Sequence, residues 1–197
     1  MILYGDLASG NCLKVKYVAD YLGKNVTFVP VDIMKGESRT PAFLAKNPWG
    51  QVPVLELEDG RCLSQSNAIL RFLGAGSALL PADDFAAAKV DEWLFWEQYS
   101  HEPYVATCRF HMHYLGKPAQ SRDPQKVERA EKALSFMESQ LDGRDWLANG
   151  RLTIADIALL AYTQFAHQGG FDLSDRPRLT AWVRRVQGAL GLPATLH

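Results

Sequence analysis

The sequence predicts an α+β fold in two parts, a small mixed domain over residues 1–75 and an all-helical domain over residues 85–197. Three observations carry that expectation. Short β-type segments, separated by Gly, Pro and Asp-Gly signals, occur only in the first part of the chain. Beyond residue 85 apolar residues recur at helical spacing and the strand signals vanish. Between the two runs Gly74–Asp84, GAGSALLPADD, whose small residues and proline suit a linker.

Met1–Tyr4 is an apolar run that fits a buried strand, and Gly5–Gly10 is a polar loop after it. Ser9-Gly10-Asn11 then precede a helical pattern with Cys12, Val15, Val18, Ala19 and Leu22 on one face, closed by Gly23. Val26–Val31 alternates as a second strand, and Thr40-Pro41 opens a short helix, since proline suits the first helical position. Pro53 lacks an N–H for a sheet ladder, so it belongs at the start of a strand Val54–Leu57, and a cis bond before it fits there. Asp59-Gly60 supplies a tight turn that makes Cys62-Leu63 an antiparallel neighbour. Ser66 is the N-cap or the first residue of a helix continuing through Ala68–Leu73. The order βαβαββα is that of a thioredoxin-like domain.

In the second part Phe85–Tyr114 reads as one long helix that Pro103 kinks or divides. Pro124–Leu141 is amphipathic, with Val127, Ala130, Leu134, Met137 and Leu141 on one side. Thr153 and Asp156 form a capping pair before an almost wholly apolar segment, Ile157–Phe165, which suits a central buried helix. Arg176–Leu190 gives a last helix with Leu179, Trp182, Val183 and Val186 inward.

Composition narrows the function classes. A net charge of −1 and a pI near 6.5 give no basic field for nucleic acid or an anionic membrane surface. The arginines Arg176, Arg178, Arg184 and Arg185 read as a solvated helix face. Three cysteines, Cys12, Cys62 and Cys108, have no short pairing pattern and point to reduced thiols in a cytoplasmic protein. The start MILYGDLASG has neither a basic region nor a long apolar stretch, so no signal peptide is expected. No window approaches the ~20 apolar residues of a membrane span. His111 and His113 stand two apart, about 200° around a helix, so no metal site is expected there.

Two stretches carry chemistry. Around Gln51-Val52-Pro53 the proline leaves the backbone of Val52 available to a peptide-like ligand, and the helix start at Gln65-Ser66 offers free N–H groups to an anion. Together they suit a short anionic peptide. The other stretch is the loop after the first strand, where a redox member of such a fold carries C-x-x-C. Here the residues are Ser9-Gly10-Asn11-Cys12, so the outer position carries a hydroxyl and dithiol exchange is chemically closed. A hydroxyl can still donate to a sulfur brought by a ligand.

NPWGQVPVL followed by QSNAIL resembles the glutathione-binding half of the cytosolic glutathione S-transferases, with their N-P-x-G-x-V-P-x-L and E/D/Q-S-x-A-I pattern. SGNCLKV is similar to the S-x-N/P-x-x-K/R-V stretch of the serine-type members, and the pair Thr153/Asp156 to the capping box of the family's helical domain, so the resemblance spans the chain. It implies that Ser9 bonds the glutathione sulfur, with Asn11 as a second donor and Tyr4 as the rival, as in tyrosine-type members. It further implies that Gln65 and Ser66 hold the γ-glutamyl end and that Gln51, Val52 and Pro53 present backbone to the cysteinyl amide. GESRTP resembles a stretch that nominates Arg39, with Lys35 second, for the glycine carboxylate. Two departures stand out. Gln65 replaces the Glu of many bacterial relatives, so an ionic contact to the ammonium would come from a partner subunit, and Ser38 stands where several relatives have a histidine.

For the second substrate, a hydrophobic electrophile, Tyr104, Cys108, Phe110 and His111 near Pro103 are the candidate walls, joined by Tyr99 and Met112. The expected protein is a homodimeric, cytoplasmic glutathione transferase with glutathione as co-substrate. Glutathione-dependent peroxide reduction, isomerisation or dehalogenation would need the same thiolate, and a non-catalytic module can share the fold.

Overall fold

The computed structural model describes residues 1–195. The chain divides into two compact units, Met1–Leu80 and a second that begins at Pro81.

The first unit holds β1 (Ile2–Gly5), α1 (Gly10–Tyr21), β2 (Thr27–Pro30), a 3-10 turn at Glu37–Arg39, α2 (Pro41–Lys46), β3 (Val54–Glu56), β4 (Cys62–Ser64) and α3 (Ser66–Gly74). Its four strands lie in the order β2-β1-β3-β4, β1 parallel to β2 and antiparallel to β3, β3 antiparallel to β4. The parallel crossover through α1 and the hairpin at Asp59-Gly60 produce this mixed sheet, and the left-handed φ of 83° at Gly60 is the conformation the turn requires. Thr40 caps α2 by accepting from the Phe43 N–H, with Pro41 in the first turn as its fixed φ allows.

Strand alternation decides which residues meet which helix. Leu3 and Gly5 face α1: a Cβ on Gly5 would stand 2.7 Å from Cys12 Sγ. Tyr4 points to the opposite face, against the cluster of Val31, Phe43 and Val54. One-residue differences from the expected bounds matter in one place. The first helix begins at Gly10, so Asn11 lies inside its first turn and Ser9 is the N-cap.

The second unit starts with a helical run in which α4 (Asp84–Trp96) and α5 (Glu102–Arg109) are joined by a π turn at Glu97–His101, and a second π turn, Phe110–Tyr114, follows. The single expected helix is thus divided. Pro103 has no N–H to donate, and its ring crowds the carbonyl one turn back, so the chain widens to a π turn just before it. Two 3-10 turns, Ala119–Ser121 and Ala166–Gly169, were not foreshadowed by the periodicity.

Then come α6 (Pro124–Gln140), α7 (Ile154–Thr163) and α8 (Pro177–Ala189). Every residue of α7 is buried, as its all-round apolar sequence requires. Its start is held by a capping box in which Thr153 and Asp156 exchange hydrogen bonds. Asp156 also accepts from the Leu147 N–H at 3.0 Å and from Trp182 Nε1 of α8 at 2.9 Å. Arg184 of α8 is exposed, whereas Arg176 at the N-cap pairs with Glu131, Arg178 with Glu138 and Asp142, and Arg185 with Asp145. Among the described residues no helix is long and apolar enough to cross a membrane.

Candidate active site at two helix starts

The candidate site in the first unit is built from three loops. The first follows β1. Ser9, at φ −78° and ψ 124°, caps α1 with its carbonyl, which accepts from the N–H groups of Cys12 at 3.1 Å and Leu13 at 3.0 Å. Its side chain makes no capping bond. The hydroxyl turns instead to the Cys12 sulfur.

Beneath it, Cys12 is wholly buried, and its sulfur accepts from the Asp6 N–H at 3.3 Å. Burial pushes the Cys12 thiol up to about 11, against the opposing pull of that N–H and of the Ser9 hydroxyl. Cys12 is therefore a core residue, inert at neutral pH.

Tyr4, the rival donor, is committed elsewhere. Its hydroxyl donates to Glu56 Oε2 at 2.9 Å, Lys46 Nζ lies 2.5 Å from the same oxygen, and the ammonium sits 4.9 Å from the Tyr4 ring centre. Burial first, and the Glu56 carboxylate second, push the phenol above its usual range. None of this trio was legible in the sequence, because Tyr4, Lys46 and Glu56 belong to different elements. The strand alternation at Tyr4 was the only signal.

The second loop runs from Asn47 to Pro53. The Val52-Pro53 peptide is cis. The β1–β3 ladder ends at Tyr4 opposite Val54, so Val52 lies beyond its last rung. Asn47, 2 % exposed, braces the loop from inside: its Nδ2 donates to the Gln51 carbonyl at 2.7 Å and its Oδ1 accepts from the Trp49 N–H at 3.2 Å. That bracing role was missed, although an Asn before Pro is a turn signal. Arg39 Nη1 donates to the Trp49 carbonyl at 2.9 Å. Only a glycine fits at Gly50, where φ is 60° and a Cβ would meet Arg39 Nη1 at 2.7 Å and the Ser38 carbonyl at 2.9 Å. Lys35, the second cation, is paired with Asp32 at 3.0 Å.

The third loop enters α3. Gln65 takes a left-handed φ of 70° with ψ 107°, a strained conformation for a residue with a side chain, and Ser66 is the first residue of the helix. Ser66 is 6 % exposed and its hydroxyl donates to Asn11 Oδ1 at 2.9 Å, across 55 positions of sequence. The starts of α1 and α3 are thereby brought side by side. Two positive dipole ends suit an anionic ligand.

The residues nominated for an electrophile lie on α5 and the π turn after it. Tyr104 accepts a hydrogen bond from Arg129 of α6 at 2.7 Å, and the guanidinium stacks 5.4 Å from its ring. Cys108 is 2 % exposed, Phe110 is exposed and stacks on Tyr114, and His111 Nε2 lies 2.7 Å from Ser121 Oγ. The Ser121 hydroxyl donates to the Pro118 carbonyl, so the imidazole N–H is the donor in that pair. Among the described residues no cluster of His, Cys, Asp or Glu has a metal-binding arrangement.

Comparison with known proteins bears on the whole chain. Residues 1–75 match the glutathione S-transferase N-terminal domain and residues 95–188 the glutathione S-transferase C-terminal domain. Glutathione S-transferase PM239X14 of Arabidopsis thaliana is 33 % identical over 208 residues, covering 95 % of this chain and 94 % of its own. A crystal structure of a glutathione S-transferase from Pseudomonas fluorescens is 48 % identical with a TM-score of 0.94, covering 100 % of this chain and 98 % of that one. One from Xanthobacter autotrophicus is 40 % identical with a TM-score of 0.90, covering 98 % and 94 %. With a thioredoxin-like half, a helical half and matches to both along nearly its full length, the chain belongs to the glutathione S-transferase family and is a glutathione transferase with glutathione as its co-substrate.

Proposed function

We propose that Ser9 activates the glutathione sulfur as a thiolate for attack on a small hydrophobic electrophile, with Asn11 assisting from the first turn of α1. The task has a definite size. A free thiol with a pKa near 8.5 is only a few per cent ionised at neutral pH, and lowering it by about two units needs roughly 2.7 kcal/mol of selective stabilisation of the anion. One charge-assisted hydrogen bond contributes about 1.5–3 kcal/mol, and the positive end of α1 adds to it. Ser9 therefore suffices.

In this reading Ser66 and Gln65 hold the γ-glutamyl end, Gln51, Val52 and Pro53 present backbone to the cysteinyl amide, and Arg39 faces the glycine carboxylate. The electrophile is held by the helical domain, through Tyr104, Cys108, Phe110 and His111. The enzyme works as a cytoplasmic homodimer in detoxification. The observation that carries the reading is the Ser66–Asn11 hydrogen bond, which joins the two helix starts that an extended anionic peptide would bridge. The engagement of Tyr4 by Glu56 supports Ser9 over its rival.

Titration calorimetry with glutathione, followed by the ultraviolet absorbance of the bound thiolate against pH, tests it. The bound thiol is expected to ionise about two units below the free one, and Ser9→Ala to raise it by one to two units. Absence of glutathione binding contradicts the reading outright. Retention of the shift in Ser9→Ala, with its loss in Tyr4→Phe, transfers the donor role to Tyr4.

A further inference from the structure

A sulfur of the protein's own lies against the hydroxyl that is to serve the glutathione sulfur. Ser9 is the N-cap of α1 and Cys12 belongs to the first turn, where its N–H donates to the Ser9 carbonyl at 3.1 Å. An N-cap serine ordinarily turns its side-chain oxygen to an N–H of that turn. Here the side chain makes no capping bond and turns to the Cys12 sulfur. That sulfur is held in one place. It is wholly buried, it accepts from the Asp6 N–H at 3.3 Å, and Gly5 leaves it room where a Cβ would come within 2.7 Å. With the Asp6 N–H on its acceptor side, the thiol still has one proton of its own to donate.

A thiol, a hydroxyl and a ligand thiolate line up in one direction only. The thiolate has no proton and can only accept, so the single Ser9 proton goes to it. Ser9 Oγ then faces Cys12 with lone pairs alone. We infer that Cys12 is a positioning residue whose S–H donates to Ser9 Oγ, directing the Ser9 proton to the glutathione sulfur and strengthening that bond by polarising the hydroxyl. The inference rests on Ser9 being the thiolate donor. It also gives the burial of Cys12 a consequence for the reaction. A thiol pushed up to about 11 keeps its proton through the neutral range, whereas an ionised Cys12 would compete for the Ser9 proton and repel the charge on the ligand.

The ultraviolet absorbance of bound glutathione thiolate against pH reads the effect on the full chain. Cys12→Ala, or Cys12→Val where the small cavity weakens the fold, is expected to raise the bound thiol by about half a unit, roughly a threefold loss of thiolate below its pKa. Cys12→Ser keeps a donor in the same place and should restore the parent value to within about 0.2 unit. In the Ser9→Ala background Cys12→Ala should add no further shift, since Cys12 acts through Ser9. S-methylglutathione, whose sulfur cannot ionise, separates this role from packing: calorimetric titration should show its affinity within about twofold of the parent in Cys12→Ala. The inference alone is overturned by an unshifted thiol in Cys12→Ala, by a shift that Cys12→Ser shares, by a further shift in the Ser9→Ala background, or by a matching loss of S-methylglutathione affinity. An unshifted thiol in Ser9→Ala would overturn the donor role of Ser9, and the inference with it.

Discussion

Removing the carboxylate of Asp156 should be the most damaging single change in the helical unit. The residue is wholly buried, as are Thr153 and Trp182, and Leu147 is 4 % exposed. Asp156 Oδ1 accepts from the Leu147 N–H and from Trp182 Nε1, and Oδ2 accepts from the Thr153 N–H and hydroxyl. In Asp156→Ala the three N–H donors are left in a site that water does not reach, at about 1–3 kcal/mol each. The Thr153 hydroxyl can still rotate to a new partner. A loss of about 4 kcal/mol is expected, a large part of the ~5–15 kcal/mol that holds a typical fold.

Asp156→Asn provides the internal control. It keeps an Oδ1 for Leu147 and Trp182 but faces the Thr153 N–H with an amide donor, so about half of that loss is expected. Urea unfolding followed by far-ultraviolet circular dichroism should show the midpoint falling in that order with an unchanged slope. A loss below about 1 kcal/mol in Asp156→Ala, or an equal loss in Asp156→Asn, would refute the donor-by-donor reasoning.

Two further outcomes follow from the first unit. The hydrogen bond from Lys46, then that from Tyr4, hold the Glu56 carboxyl below its usual 4.5. A carboxyl lowered by folding stabilises the native state above its unfolded pKa, and that contribution disappears as the pH falls through the folded one. Glu56→Gln should therefore lower the melting temperature near neutral pH and cease to matter once the pH has fallen through the lowered folded pKa, whereas a deficit that persists in acid would assign the effect to packing. Brief alkylation at about pH 8 should modify the exposed Cys62 and spare Cys108 and Cys12, since a thiol pushed to about 11 is ionised in only about one molecule in a thousand. Mass spectrometry of the peptides reads the result, and labelling of Cys12 in the folded protein would contradict its place in the core.

Much of the fold was legible because its signals are local. A proline at the start of β3, an Asp-Gly turn, a Ser before an apolar helix and the vanishing of strand signals after residue 75 each act within a few residues. Pro103 announced that the long helix would break, but not that π turns would absorb the break on both sides of α5. That choice depends on how neighbouring helices hold the two arms. The 3-10 turns escaped for a related reason, since three or four residues carry too little periodicity to register.

The candidate site divides in the same way. By itself the sequence determined which chemical groups are present: a hydroxyl where a redox relative has a thiol, a proline that ends a ladder, and a serine at a helix start. Only the tertiary structure decided their company. It turned Tyr4 to the far face of the sheet and gave its hydroxyl to Glu56, sank Cys12 against Gly5, and set Asn11 beside Ser66 across 55 residues of chain. The physical reason is range. Helix caps and turns are satisfied by neighbours in sequence, whereas the direction in which a buried hydroxyl sends its proton is fixed by a partner that only folding delivers.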